Sequence, residues 1–157
     1  MKILKKVGLF LALILLIAQF FGPEKNEGEL ASLVPFITET NPPKEVQNIL
    51  KNACFDCHSN VTKYPWYNTI TPVNYWLNGH VKNGKKHLNF SEWNNYSLKK
   101  KEHKMDELHE EVAKKKMPLK SYTYTHSDAN LTPKQIDAIV NWGKKAQANY
   151  QLQLNAK

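Results

Sequence analysis

The chain has 157 residues, with 22 Lys, no Arg and 14 acidic residues, which give a formal charge of +8. Apolar residues make up 41%, aromatic residues make up 11%, and there are only two Cys. This composition excludes a disordered chain, a disulfide-rich scaffold and a polytopic membrane protein. At this length we expect one small domain that buries about two thirds of the surface its unfolded chain exposes.

The N-terminal segment has the pattern of an export sequence. Lys2, Lys5 and Lys6 precede an uncharged run from Val7 to Pro23 that is rich in Leu and Ile. As a helix, this run is about 25 Å long at roughly 1.5 Å per residue, slightly short of a bilayer core. No small-residue cleavage pattern follows it, so we predict an uncleaved anchor over 1–23 rather than a removed signal peptide. The lysines then stay in the cytoplasm and the domain is exported to the periplasmic side of a bacterial inner membrane.

Three further regions follow the N-terminal segment. Residues 24–41 contain the breakers Gly28 and Pro35 and show no sustained periodicity, so we predict a tether that partly packs on the domain. The domain itself is predicted over 42–151, and residues 152–157 form a tail.

Apolar residues in the domain recur at spacings of three and four, which predicts an all-α fold. The first helix is expected over about 42–53 and a strongly charged helix over about 98–116. The last helix begins with a capping box, Thr132-Pro133-Lys134-Gln135, in which proline takes the first helical position. Gly143 in that helix would let another helix approach closely.

The first helix leads into the sequence Cys54-Phe55-Asp56-Cys57-His58. C-x-x-C-H is the attachment sequence of c-type haem. Two thiols three residues apart on a helical turn can reach the two vinyl groups, and the following residue places an imidazole under the iron. We therefore predict one covalent haem c on Cys54 and Cys57, with His58 as an axial ligand.

Three other interpretations of this motif remain open but are less favoured. A thioredoxin-like dithiol needs a βαβ setting, and the Val/Ile strands of that fold are missing. A zinc site needs four ligands, which would have to include scattered histidines. A disulfide between residues three apart would close too short a loop to restrain the unfolded chain much.

The second axial position of the iron needs its own ligand. We predict Met117, because the following Pro118 keeps it out of helical geometry, so that its thioether can turn toward a plane packed alongside. Met105 fits an apolar helix stripe and is expected in the core. His80 and His126 are the alternative distal ligands.

Aromatic residues are concentrated between the motif and the charged helix. Aromatic rings pack on a flat macrocycle, and their polar atoms, like those of Asn, can hydrogen-bond its propionates. An ordinary aromatic core is the competing explanation for each of these residues. The predicted haem-pocket residues are Tyr64, Trp66, Trp76, Asn89 and Trp93.

The order of these parts resembles a monohaem c-type cytochrome and, more closely, the small bacterial family described as the haem-binding domain, over about 42–147. The resemblance implies a small cytochrome c-like helical domain around one haem. It differs at Lys85, where the family commonly has arginine. The motifs that carry the resemblance are Cys54-Phe-Asp-Cys57-His58, Tyr64-Pro65-Trp66-Tyr67, Trp76 with His80-Val81, Gly84, Leu88-Asn89-Phe90-Ser91-x-Trp93, Met117-Pro118 and Tyr124-x-His126.

We expect a membrane-tethered carrier of single electrons rather than a catalyst. The alternative is a haem-based gas or redox sensor, or a peroxidase-like enzyme, in which the sixth ligand is displaceable or absent. The lysine clusters at 99–101 and 114–116 suggest an acidic redox partner or membrane headgroups. Nucleic acid is not expected, because no binding motif accompanies the charge.

Overall fold

The structure is a computed structural model that describes residues 1–156. Within these residues the regular structure is entirely helical, which confirms the predicted all-α class, and an isolated antiparallel bridge joins Glu27 to Val61. The eight α-helices are α1 Lys2–Ala18, α2 Val34–Thr40, α3 Lys44–Ala53, α4 Phe55–His58, α5 Val73–His87, α6 Leu98–Ala113, α7 Lys120–Thr123 and α8 Pro133–Asn155. Short 3-10 turns lie at Leu30–Leu33, Trp66–Thr69, Phe90–Asn95 and Ser127–Ala129.

Helices α6 and α8 pack along each other and form the main framework of the domain. The predicted capping box starts α8: the Thr132 hydroxyl accepts the Gln135 N–H while the Gln135 side chain accepts the Thr132 N–H. Where the helices meet, a Cβ on Gly143 would lie 2.9 Å from the Cβ of His109, so glycine permits the close approach. Helix α8 runs to Asn155, so most of the predicted tail is helical.

The core lies between α2, α3, α6, α8 and the 3-10 turn Phe90–Asn95. Met105 is fully buried there, as predicted. The residues that form the core are Leu33, Phe36, Val46, Ile49, Leu50, Phe90, Trp93, Met105, Leu108, Val112, Ile139, Trp142, Ala146 and Tyr150.

Residues 24–41, predicted as a tether that partly packs on the domain, contribute to the core. Phe36 on α2 is fully buried, with its ring centre 4.4 Å from that of Phe90 and 5.0 Å from that of Trp93. Pro35 stands in the first turn of α2, where proline is compatible with a helix, so it does not act as a breaker. The seven residues of α2 are too few to show a sustained helical period.

Helix α6 ends at Ala113, three residues before its predicted end. Lys115 has a φ of 56°, a left-handed conformation that stops the helix. The chain therefore turns before Met117 and leads the 117–126 segment back toward α4.

Helix α1 contains no buried residue. Across residues 1–156, none of the helices combines the length and the apolar character required to cross a membrane.

Candidate functional site

A cavity of about 310 Å³ lies between α4, α5 and the segment 117–126. This volume falls in the range of small-molecule and cofactor pockets. Cys57, His58 and Asp56 form one wall, Gly84 and Val81 of α5 form another, and Met117 lies with Tyr122 on a third. The cavity thus brings together the motif and the proposed distal ligand, which are about sixty residues apart in the chain.

His58 is held by the backbone at the end of α5. Its Nδ1 lies 3.0 Å from the carbonyl oxygen of Gly84 and 3.1 Å from that of Leu88. Because a carbonyl only accepts, Nδ1 carries the proton and donates it, and Nε2 keeps its free electron pair. Burial lowers the pKa of His58, which favours the neutral imidazole that a metal requires. Such a backbone contact fixes the orientation of a ligating histidine.

The two thiols lie on one tight turn between α3 and α4. Cys54 ends α3, and its carbonyl accepts the N–H groups of Cys57 at 3.2 Å and His58 at 2.9 Å. Both cysteines are free and half-buried. Cys57 lines the cavity, whereas Cys54 does not line it and packs against the core.

Burial keeps both sulfurs in the neutral thiol form. It raises the pKa of Cys54 to about 12, with a smaller contribution from the charge of Cys57. It also raises the pKa of Cys57 to about 11, and the Asp56 carboxylate adds to this shift. A buried, neutral pair differs from the acidic thiolate of a dithiol oxidoreductase.

Gly84 allows α5 to touch the motif directly. A Cβ placed on this residue would lie 2.5 Å from the Cys57 carbonyl oxygen and 3.0 Å from both its carbonyl carbon and its Cβ. Only glycine fits such a contact without moving backbone. The same residue supplies a carbonyl to His58, so one position sets both the packing and the ring orientation.

Tyr122 connects the Met117 segment to the motif. Its hydroxyl donates to Asp56 Oδ2 at 2.8 Å, and its ring stacks on His126 with ring centres 4.0 Å apart. Burial raises the pKa of Tyr122, and the Asp56 carboxylate adds to this, so the phenol stays protonated. The sequence interpretation missed this residue, although a spacing of four allows the His126 N–H to donate to the Tyr122 carbonyl, as it does at 3.1 Å.

The structure separates the predicted pocket residues into two groups. Trp76 lines the cavity, and so do the alternative ligands His80 and His126. Trp66 does not line it and is 77% exposed. The phenol oxygen of Tyr64 accepts the Asn26 N–H.

Asn89 and Trp93 also lie outside the cavity. The Asn89 side chain donates to Asn60 Oδ1 at 2.9 Å and accepts the Ser91 N–H at 3.1 Å. Trp93 is fully buried in the core, where its Nε1 donates to the Tyr150 hydroxyl. The placement of Trp93 corrects its predicted pocket role, because the 3-10 turn directs its ring toward α2 and α8.

These residues fit the haem predicted from the sequence. An imidazole with a free Nε2 and a thioether are donors that haem iron takes, and both line one largely apolar cavity. Within the part of the chain that the structure describes, no group of three or more His, Cys, Asp or Glu side chains is arranged to hold a metal ion. This result disfavours the zinc interpretation of the motif.

The sequence was compared with models of protein families, with curated proteins and with solved structures. The sequence model of a family described as the haem-binding domain matches residues 13–145. The comparison with curated proteins and that with solved structures each gave no match. The matched span covers most of the chain and includes every residue of the cavity described above.

Proposed function

Because the chain belongs to the haem-binding domain family, we propose that it carries its haem covalently and works as an exported, membrane-tethered carrier of single electrons. Haem binding follows from family membership. The observation that carries the finer proposal is the position of His58. Its Nδ1 is bonded to two α5 carbonyls while its ring faces the cavity that Met117 also lines.

Cys54 and Cys57 supply the covalent attachment in this proposal. Each thiol would add across a vinyl group of a bound haem: a sulfur–carbon bond would form, the S–H hydrogen would pass to the other vinyl carbon, and no electrons would be gained or lost. The tight turn at Cys54 keeps the two cysteines on one turn of the backbone, and both thiols are free and protonated.

His58 and Met117 supply the two axial donors. A bound haem provides an iron that alternates between the ferric and ferrous states by one electron. The Gly84 and Leu88 carbonyls hold the His58 ring and increase its basicity as a ligand. A thioether at the other position raises the reduction potential relative to a second imidazole.

Export and tethering are assigned to α1 in this proposal. Its 17 residues, fewer than the roughly 20 of a spanning helix, begin at Lys2 and include Lys5 and Lys6. The uncharged apolar run continues past α1 to Pro23, and the proposed anchor is this whole run. The positive flank orients the segment with its start in the cytoplasm and the domain outside. The lysine cluster 114–116, next to Met117, would favour a redox partner with an acidic surface.

Covalent attachment is tested by expressing the full chain together with a haem c assembly system. Acid–acetone extraction should leave the haem on the protein, and the intact mass should be that of the polypeptide plus one haem. Cys54→Ala and Cys57→Ala should each leave a single bond, and the double variant should release all its haem. Bare polypeptide mass with colourless protein would refute the proposal.

Axial ligation is tested on the same material by absorption spectra in the oxidised, reduced and carbon monoxide-treated states. The ferrous protein should be low-spin and should not bind carbon monoxide readily, because both axial positions are filled. Met117→Ala should bind it and should have a lower reduction potential. Met105→Leu is the matched control, since it removes a thioether from the core and leaves the cavity unchanged.

The same spectra separate the carrier from the alternative function. Rapid carbon monoxide binding or peroxide turnover by the unmodified protein would indicate a sensor or a peroxidase-like enzyme. His80 or His126 would then be the distal acid–base group, as both line the cavity.

A further inference from the structure

The end of α1 is fixed to the loop that precedes α5. The Gln19 side chain forms two hydrogen bonds with the backbone of Thr71: its Nε2 donates to the carbonyl at 3.2 Å and its Oε1 accepts the N–H at 2.9 Å. The Thr71 hydroxyl also donates to the Phe21 carbonyl at 3.2 Å. A paired amide contact of this kind fixes direction as well as position.

The last turns of α1 also pack beside this loop. Leu11, Leu15 and Ala18 form one side of a shallow apolar groove whose other side is Thr71 and Pro72. The direction in which α1 leaves the domain is therefore set by contacts of both kinds. If α1 lies in a bilayer, the loop at Thr71 faces that bilayer.

The residues around this loop are apolar or aromatic and face solvent. Ile70 is 41% exposed, Tyr75 is 49% exposed and Trp76 is 51% exposed, while Trp66 projects further still. Tyr and Trp with one polar atom on a large ring are the side chains that concentrate at membrane–water interfaces. We call the four residues Trp66, Ile70, Tyr75 and Trp76 the rim surface.

The rim surface lies at the mouth of the haem cavity. Trp76 belongs to both, and Tyr67, which follows Trp66 in the same 3-10 turn, lines the cavity as well. Any surface that covers the rim therefore also lies beside the cavity.

The charges of this part of the chain have one sign. From Cys57 to Ser91 there is no Asp or Glu, whereas Lys63, Lys82 and Lys86 are present and exposed. A surface that combines interfacial aromatic rings with unopposed lysines is complementary to anionic lipid headgroups. An acidic protein would match the lysines but would gain little from the aromatic rings beside α1.

We propose that the rim surface lies in the headgroup layer of an anionic bilayer, so that the haem cavity opens at the membrane. This inference rests on the proposed α1 anchor. It goes beyond tethering, because a tether alone would leave the domain free to rotate. Electron exchange through this mouth then takes place at the lipid surface.

The experiment uses the full haem-loaded chain in vesicles of phosphatidylcholine and phosphatidylglycerol. Cys54 and Cys57 carry the haem, so a thiol introduced by Ile70→Cys can be labelled with a nitroxide. Leu152→Cys is the control, at an exposed position of α8. Collision of each label with oxygen, which partitions into lipid, is compared with collision with a water-soluble nickel chelate.

The ratio of oxygen to nickel collisions should be several-fold higher at Ile70 than at Leu152, and should fall in vesicles of phosphatidylcholine alone. Gln19→Ala should leave vesicle binding intact and lower the ratio at Ile70, because the paired amide contact is lost. Gln151→Ala, which removes a glutamine that donates to Glu102 instead, should not change the ratio.

Two failures have different meanings. Equal ratios at Ile70 and Leu152 in a protein that co-floats with vesicles would overturn the orientation proposed here and leave the anchor standing. A protein that does not co-float would overturn the anchor and this inference with it. An unchanged ratio after Gln19→Ala would also overturn the inference, since the contact at Thr71 would not then orient the domain.

Discussion

Replacing Gly84 with alanine tests the contact on which the site depends. The added methyl carbon would lie 2.5 Å from the Cys57 carbonyl oxygen, whereas ordinary contacts begin at 3.4 Å, so α5 and α4 must separate by nearly 1 Å. The two nearest backbone atoms, the carbonyl oxygen and carbon of Cys57, belong to a tight turn, and the third neighbour is the Cys57 Cβ, so no side-chain rotation can relieve the clash. The carbonyl that holds His58 Nδ1 belongs to the same residue and moves with it.

Two opposing effects set the size of the change. Overpacking a tight contact costs about 1–3 kcal/mol, while alanine in a helix interior is about 0.5–1 kcal/mol better than glycine. Subtracting the gain from the cost gives a net loss of unfolding free energy for Gly84→Ala of about 0–2.5 kcal/mol, centred near 1 kcal/mol. In a chain of this length, a loss of about 1 kcal/mol lowers Tm by roughly 2–4 °C.

Gly79→Ala is the matched control, since it adds the same methyl to the same helix at a position with no atom within 4 Å. It should raise unfolding free energy by about 0.5–1 kcal/mol. Because Gly79 lines the cavity, the comparison uses haem-free protein, in which the circular dichroism melts of the two variants should move in opposite directions. A Gly84→Ala protein that melts at or above Gly79→Ala would show that α5 does not press on the motif.

Three further outcomes are expected. Tyr122→Phe removes the hydroxyl bonded to Asp56 and should lower the free energy of unfolding by about 1–2 kcal/mol. Carbon monoxide binding should increase, because the Met117 segment loses its bond to the motif. Tyr124→Phe, at an exposed position, should change neither property. Trp93→Phe should lower the free energy of unfolding by about 1–3 kcal/mol and leave the haem spectrum unchanged. A shifted spectrum with little loss of stability would show that Trp93 contacts the haem. When haem is absent, amide hydrogen exchange should stay slow in α6 and α8 but become faster in α5 than in the haem-loaded protein. Equal exchange rates across these three helices would contradict this.

The residues that carry the chemistry of the site were easier to predict from the sequence than the residues that line the rest of its cavity. The motif Cys54 to His58 is local, so spacing alone places its side chains on one turn. Met117 could be singled out because Pro118 restricts the backbone of the residue before it, which is again a local effect. The structure places Met117 at the cavity. Whether it ligates iron stays a prediction, because ligation depends on a group the chain must first acquire.

The walls of the cavity depend on tertiary packing, which a one-dimensional pattern does not specify. Trp76 and Trp93 are both tryptophans close to the motif in sequence, yet one lines the cavity and the other fills the core. What separates them is the direction in which α5 and the 3-10 turn Phe90–Asn95 present their side chains. The same limit applies to the segment 24–41, which was predicted to pack partly on the domain: Phe36 is identified as a core residue only when Phe90 and Trp142 are seen around it.

The distribution of apolar side chains implies that one part of the domain is stabilised by its own core and the other part by the bound cofactor. The core joins α2, α3, α6 and α8 and contains no residue of α5 or α7, whose apolar faces meet the cavity instead. His58 lies at the junction, since its ring is 6.4 Å from that of Phe90 in the core while it also lines the cavity. Burying a large apolar macrocycle in the cavity would give α5 and the 117–126 segment the partner they lack. Binding of the cofactor would then stabilise the fold of that half of the domain, while α3, which packs on α8, holds the motif in place before the cofactor arrives.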